Sequence, residues 1–350
     1  MVTTSAAVAR RQVVMVDVAL EAGVSQKTVS RVLNDSPQVR PEVRERVLAA
    51  VESLGYRRNG AARALAAGRS HVIGIVATES PLFGIAQHVM GLEREARARG
   101  YGTVVVSTSE DGADSDVRAA VERALELGAE GVVVVEPFWR HTTDFASLAD
   151  VPLVIPHHAA PTHRLHRHVA PAERDGAHLA TQHLLDLGHR RTAHIGGPLT
   201  WDASLIREQG WRETLEAAGA PPGEVVRGDW SPRSGYLAAQ QLLSSADRPT
   251  AVFAANDSMA IGAVRAFAEA GLRVPDDVAV VGFDDIPEAE FQAVPLTTVR
   301  QDFATIARRA VEHVVHALDA QPPHDEPAPP ARLVVRASTG PPRTEVTPLP

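Results

Sequence analysis

The chain of 350 residues has no cysteine. That excludes disulfides, thiolate metal sites and a cysteine nucleophile together. It has no run of about 18 apolar residues, so no stretch offers a transmembrane helix. The N-terminal MVTTSAAVARRQVV carries an arginine pair but no apolar core behind it, which argues against a secretory signal. The expected location is the cytoplasm. Lysine occurs once, as Lys27; every other basic side chain is arginine. A genome rich in G and C accounts for that bias, and it makes the place of the one lysine informative.

Hydrophobic residues at 44% and charged residues at 22% fit a folded globular chain. The length suggests about two or three domains. A net charge of −8 argues against a protein that coats nucleic acid, but the charge is uneven. Residues 1–69 hold 11 Lys and Arg against 6 Asp and Glu, a net +5, which leaves −13 on the remainder. A basic head on an acidic body suggests that the head meets phosphate while the body does something else.

The first 13 residues read as a disordered leader. Period-3.6 patterning follows over 14–55. In PEVRERVLAAVESLGY, Val43, Val47, Ala50, Val51 and Leu54 share one helical face, with Pro41 in the first turn and Gly55 past the end. From residue 72 short β-branched runs alternate with helical stretches, many of which end in glycine (Gly100, Gly128, Gly188, Gly219, Gly271). Near-continuous apolar strands alternating with helices imply buried parallel sheets covered on both faces. About ten strands are too many for one compact sheet, so two lobes are expected, with 156–171 as a candidate crossover. The proline-rich 321–330 reads as a loop, RLVVRAST (332–339) as a last strand, and 341–350 as a disordered tail.

The strongest local signal is VDVALEAGVSQKTVSRVLN, residues 16–34. A first helix over Val16–Ala22, a turn at Gly23 and a second helix capped by Ser25 and starting at Gln26 make a helix-turn-helix. Ala19, Val24, Val29 and Val32 would face the third helix. The opposite face presents Gln26, Lys27, Ser30 and Arg31, side chains that read base edges in a major groove. Ser25, Thr28, Ser30 and Asn34 are short donors suited to phosphate oxygens. The alternative, a surface helix of a small bundle with no DNA, leaves the basic charge and the donor face unexplained.

DVA, AGVS, TVSRVLN, VRPEVRERV and LGYRRN together resemble the DNA-binding head of the lac-repressor/galactose-repressor family of bacterial regulators. The resemblance continues through NGAARALAA (59–67) and covers residues 14–340. It implies a head over 14–58, a hinge helix and linker over 59–70, and an effector-binding core over 71–340. Lobe 1 of that core would take about 71–160 and 296–320, and lobe 2 about 165–292 and 330–340. It adds Tyr56, Asn59, Ala62, Arg63 and Leu65 to the DNA-contacting set. In the family the hinge becomes helical only on operator DNA, and a leucine matching Leu65 wedges into the minor groove. An isolated helix this short is marginal in water, so folding on binding is physically reasonable. Taken alone, Leu65 fits a core-facing leucine equally well. Where the family commonly has a capping threonine this chain has Val14, so the first helix either frays or is capped from upstream.

The body resembles the family's effector core, which shares its fold with periplasmic sugar-binding proteins. The expected class is therefore α/β, a small all-α helix-turn-helix head plus a two-lobed core with parallel sheets. LLDLGHRRTAHIGGP, REQGW, FAANDSMAIGAVRAF, VVGFDD and LTTVRQD carry this resemblance. In open α/β sheets ligands lie at the carboxyl ends of the strands. By match to the family, Arg207, Trp230, Asn256, Asp284 and Gln301 contact effector and Leu82 forms an apolar wall. Trp201 and Asp202 are candidate lid contacts. Arg207 is expected to open a turn and to fork across adjacent hydroxyls, and Trp230 to offer a face to sugar C–H groups. Asp257 is expected to cap a helix and Asp285 to be structural. Where much of the family has an acidic residue, this chain has His157, which leaves the sugar unspecified.

Three other classes fit the sequence less well. A metal site built from His157, His158, His163, His166 and His168 lacks regular spacing and an organising carboxylate. A sugar-processing enzyme finds no support, because Asp284 and Asp285 are adjacent and should diverge instead of flanking a bond, and no nucleophile elbow or phosphate loop appears. A secreted carrier conflicts with the basic head. The expected protein is a regulator of carbohydrate-use genes with no cofactor, its partners operator DNA and a sugar effector; a purine or nucleoside effector, stacked on Trp230, is the alternative. One head reads a half-site, so a homodimer on a near-palindrome is expected. The C-terminal PPRTEVTPLP cannot form a tetramerising helix.

Overall fold

The computed structural model describes residues 13–57, 68–108, 114–135, 148, 150–155, 166–168, 172–322 and 329–341. The chain divides into two units, Met1–Ser70 and His71–Pro350.

The first unit contains α1 (Met15–Glu21), α2 (Gln26–Leu33) and α3 (Pro41–Leu54). Val18, Ala19, Ala22, Val29, Val32, Val47 and Ala50 form its core, and Val24, Val51, Leu54 and Tyr56 pack at the edge. Val14 has no capping side chain. Instead the Asp17 carboxylate accepts the Val14 N–H at 2.9 Å, so α1's own first turn closes back on its start. Ser25 Oγ accepts from the Thr28 N–H at 3.1 Å and fixes the start of α2. Arg44 of α3 reaches back to Asp35 Oδ1 and the Ser36 carbonyl, both at 2.8 Å, and pins the loop after α2.

The second unit begins with β1 (Val72–Thr78), α4 (Phe83–Ala98), β2 (Gly102–Thr108), α5 (Asp114–Glu126), β3 (Gly131–Val135), β4 (Leu153–Ile155) and β5 (His166–His168). It continues with α6 (Glu173–Asp186), β6 (Thr192–Gly196), α7 (Asp202–Ala217), β7 (Val225–Arg227), α8 (Pro232–Leu243), β8 (Ala251–Ala254), α9 (Asp257–Glu269) and β9 (Ala279–Phe283). It closes with β10 (Thr297–Arg300), α10 (Phe303–Leu318) and β11 (Arg332–Val334). Two sheets result, ordered β2-β1-β3-β4-β5 and β11-β10-β9-β8-β6-β7. Every pairing is parallel except β10 with β11. The helix-ending glycines 100, 128, 188, 219 and 271 all adopt positive φ, which stops each helix at low steric cost.

Each sheet is covered on both faces, as its apolar strands require. In lobe 1, Ile73, Ile75 and Ala77 pack against Leu92 of α4 and Ile306, Val311 and Val314 of α10. Val76, Val132 and Val134 face Val117, Val121 and Ala124 of α5. In lobe 2 one layer holds Ala239 and Leu242 of α8 with Met259, Ala263 and Phe267 of α9. The other holds Ala177 and Leu184 of α6 with Trp211 and Leu215 of α7.

Two lobe boundaries differ from the sequence expectation. Residues 297–300 belong to lobe 2, because Thr297 and Thr298 pair with Val281 and Gly282 of β9. Only from Phe303 does the chain return to lobe 1. Residues 166–168, expected in the crossover and the start of lobe 2, form the fifth strand of the first sheet, with Leu153 opposite His166. The last strand covers 332–334 and not the whole of 332–339. The chain thus passes between lobes three times: after β5, between β10 and α10, and after α10.

Candidate functional site

On α2 the face away from the core carries Gln26, Lys27 and Arg31, all exposed, with Ser30 half-buried beside them. Asn34 is exposed at the C-cap, and Tyr56 is half-buried against the head's core. Ser25 and Thr28 hydroxyls lie 2.9 Å apart, so the cap couples two of the expected phosphate donors. The arrangement puts three long polar side chains on one exposed helical face. Asn59, Ala62, Arg63 and Leu65 lie outside the described residues, as does His157.

A cavity of about 560 Å³ lies between the lobes of the core. Lobe 1 supplies Leu82, Phe83, Ile85 and His88 around the start of α4, and Phe303 from α10. Lobe 2 supplies Glu173, Trp201, Asp202, Arg207, Trp230, Asn256, Asp284 and Gln301. The size and the mixture of aromatic walls with a few polar groups are those of a small-molecule site. Trp230, Asn256, Asp284 and Gln301 follow the carboxyl ends of β7, β8, β9 and β10, where an open parallel sheet leaves its crevice.

Arg207 stands inside α7 and not at a turn. Its side chain is 6% exposed. Nε donates to Glu173 Oε2 at 2.5 Å, one terminal nitrogen donates to the Ala255 carbonyl, and the other faces Asp284 Oδ1 at 3.5 Å. The guanidinium also lies over Phe283, 3.9 Å from the ring centre. Instead of a free fork awaiting hydroxyls, it is a buried cation shared by two carboxylates. Burial works against its charge, but Glu173 and Asp284 outweigh that and raise its pKa.

Asp284 is held by the same logic. Burial pushes its carboxyl up to about 6, with Arg207 opposing and Glu173 adding to the rise. Gln301 Nε2 donates to its Oδ1 at 3.1 Å. Asp284 and Asp285 both adopt positive φ, 106° and 51°, a strained turn for non-glycine residues. Three bonds clamp that turn: the Asp284 N–H to the Val299 carbonyl, the Asp285 N–H to Thr298 Oγ1 and the Ile286 N–H to Asp257 Oδ2. The Asp285 carboxylate is taken by Arg300 and Arg336, the structural role expected of it.

Two roles come out differently from the sequence expectation. Asn256, not Asp257, caps α9: Oδ1 accepts the Met259 N–H at 2.9 Å, and Nδ2 donates to the Trp230 carbonyl at 3.0 Å. Both ends of its amide are occupied, so Asn256 holds Trp230 in its left-handed conformation (φ 72°). Trp230 is 4% exposed, with its ring against Gly197, where a Cβ would overlap it, and 5.4 Å from the ring centre of Trp201. Among the described residues its Nε1 has no hydrogen-bond partner, nor has Oε1 of Gln301, which is 7% exposed, and both residues line the cavity.

Asp257 is fully buried and lies 2.5 Å from Thr298 Oγ1. Burial pushes its carboxyl up to about 8. A carboxyl raised on folding favours the folded state while protonated, and that contribution is lost as pH rises from about 4 through 8. Asp257→Asn keeps an acceptor for the Ile286 N–H and offers Thr298 Oγ1 an amide N–H where the carboxyl accepts the threonine hydroxyl. The variant is expected to show a smaller fall in Tm between pH 6 and pH 9 than the parent chain. Thermal melts across that range check it, and parallel pH profiles would remove Asp257 as the source.

Glu173 and Phe303 were missed from sequence. Glu173 resembles any acidic first-turn residue of a helix, and nothing in its neighbours marks it as buried. Phe303 follows Gln301 closely and could have been read as a wall on that ground. Among the described residues, no group of three or more His, Asp or Glu could hold a metal, and no helix is long and apolar enough to cross a membrane. His158 and His163 lie outside the described residues, and only the strand position of His166 and His168 is described.

Residues 14–59 match the family model described as bacterial regulatory proteins, lacI family, and 181–339 match a periplasmic binding protein-like domain. The chain is 33% identical over 337 residues to the lactose operon repressor of Escherichia coli (strain K12), covering 96% of this chain and 93% of that protein. It is 35% identical over 318 residues to the ribose operon repressor of the same organism, covering 87% and 92%. Among solved structures it resembles the lac repressor dimer bound to operator and the anti-inducer ONPF, with a TM-score of 0.86 at 32% identity over 94% of this chain and 100% of that one.

Proposed function

Because the chain belongs to the lacI family of bacterial regulatory proteins, we propose that it is a transcriptional repressor whose grip on operator DNA is set by a sugar or glycoside bound between the lobes of its core. The observation that carries this reading is the cavity wall. Arg207, Asp284 and Gln301 form one connected polar cluster, while Trp230 Nε1 and Gln301 Oε1 have no protein partner. A polyhydroxylated ligand supplies acceptors and donors to such atoms, and its C–H faces suit the aromatic wall. The function is binding and not catalysis: Asp285 is locked by two arginines, so it cannot pair with Asp284 across a scissile bond.

Operator reading is assigned to α2. Gln26 and Lys27 read bases, Arg31 adds a base or phosphate contact, and Ser25, Thr28, Ser30 and Asn34 bind the backbone. Tyr56, Asn59, Ala62, Arg63 and the Leu65 wedge are assigned by resemblance. The protein acts as a homodimer on a near-palindromic site, because one head spans a half-site. Lys27→Ala is expected to relax preference at one base pair in each half-site and to cost about 1–3 kcal/mol there. A binding-site selection that returns the parent's motif unchanged would rule Lys27 out as a base reader.

Effector binding shifts operator affinity only by its differential affinity for two arrangements of the protein, about 1–3 kcal/mol in typical couplings. The experiment is a gel shift on the DNA upstream of the chain's own gene, with and without a panel of sugars. A specific shift that one sugar weakens or strengthens supports the reading. A shift indifferent to every sugar but sensitive to a purine base would replace it with the alternative effector class.

A further inference from the structure

Glu173 opens α6, where the chain has just entered lobe 2. An acidic residue in a first helical turn ordinarily faces solvent and needs no other explanation than the helix dipole. This one is 4% exposed and lines the cavity. Oε2 accepts from Arg207 Nε, and the other oxygen accepts from no described residue. Arg207 has its remaining nitrogens on the Ala255 carbonyl and on Asp284. One guanidinium is thus set against two carboxylates, and the surplus is negative. Asp202, Asp257 and Glu288 add three more acidic side chains to the lining, Asp257 with its carboxyl pushed up by burial, and among the described residues Arg207 is the one Arg or Lys in it.

An anionic group entering this cavity would meet carboxylates at close range and, among the described residues, no unengaged guanidinium. In a water-poor site that repulsion is weakly screened. Hydroxyl or ammonium protons meet the opposite: acceptors fixed in place, with a backbone-anchored cation holding them apart. The unpaired Trp230 Nε1 and Gln301 Oε1, in side chains more than nine-tenths buried, mark the same wall as one that takes a polar ligand.

Resting on the effector-cavity reading above, we propose that Glu173 is a ligand-contacting, specificity-determining residue. With Asp284 it selects a polyhydroxylated effector that is uncharged or carries an amine, and it excludes the phosphorylated or carboxylated counterpart. Arg207 in this arrangement positions the two carboxylates.

The test uses the full chain and matched probes. These are methyl glycosides of common hexoses and pentoses with their disaccharides, the corresponding amino sugars, and the corresponding sugar phosphates and uronic acids. Thermal shift finds binders and titration calorimetry gives Kd. The parent chain should bind an uncharged or amino member at least about tenfold more tightly than its anionic partner, the range set by a charged hydrogen bond. Glu173→Gln should weaken the preferred probe and narrow the neutral-to-anionic ratio by about tenfold. Glu173→Asp keeps the charge and should keep that ratio while weakening every member, which separates a ligand role from a folding defect. A ratio that Glu173→Gln leaves unchanged overturns the role of Glu173 and leaves the effector cavity standing. A parent chain that prefers a sugar phosphate or uronic acid overturns the charge selection. A chain that binds no member of any class overturns the sugar reading itself, and this proposal with it.

Discussion

Arg207→Ala should abolish the response to effector and, in the same variant, lower the Tm of the core by on the order of 10 °C. Removing one partner of a buried ion pair leaves an uncompensated charge and costs about 3–5 kcal/mol. For a unit of this size each kcal/mol is worth about 2–4 °C. Here two carboxylates are stranded, Glu173 and Asp284, and the Ala255 carbonyl loses its donor. Operator binding should stay near normal only at temperatures where the core is folded. Calorimetry on the variant, followed by gel shifts at low temperature with and without sugar, separates the two effects. Unaltered Tm with lost response would make Arg207 a ligand contact with no scaffold role. An intact response would move the effector site away from this wall.

Gly262→Ala should be the most damaging single-methyl change in lobe 2. A Cβ on Gly262 of α9 would overlap the Pro232 carbonyl oxygen of α8, and one on Gly235 of α8 would overlap the Met259 carbonyl of α9. The two helices meet backbone to backbone, so no flexible side chain can yield. The expected loss is about 3 kcal/mol or more, at the high end of overpacking costs. Gly271→Ala provides the contrast, since Gly271 has φ 79° and open space around its Cβ position. There the cost is the left-handed backbone alone, about 1–2 kcal/mol. Urea midpoints of the two variants compare them, and equal midpoints would mean that α8 and α9 can separate without loss.

The residues whose role is local were the ones legible in the sequence. Ser25 as a cap, Gly23 as a turn, and the glycine stops after each helix follow from chemistry acting within a few positions, and all are found in place. So is the apolar alternation that builds two covered sheets. Arg207 and Asp284 stood among the expected effector contacts, but Glu173 did not, because it lies 34 positions before Arg207. Periodicity carries no trace of a contact that distant. The placement of β10 failed for a related reason. LTTVRQD reads as one strand leading into one helix, and the register of Thr297 opposite Val281 is what assigns the two halves to different lobes. Asn256 caps the helix where Asp257 was expected to, because either side chain can cap and only packing decides which is turned inward.

The return of α10 to the first lobe bears on how the protein is made. A ribosome releases the chain from its N-terminus, and domains fold as they emerge. The head needs only residues up to about Tyr56, since its core is built from its own three helices. Lobe 1 waits for Ile306, Val311 and Val314, which leave the ribosome after nearly all of lobe 2. Lobe 2 in turn lacks its edge strand until Arg332–Val334. A chain cut short between β10 and α10 is therefore a finished head attached to two unfinished lobes, while one cut between α10 and β11 lacks only the edge strand of the second sheet. The first of these fragments keeps the head's own core but lacks Phe303, the α10 wall of the cavity between the lobes.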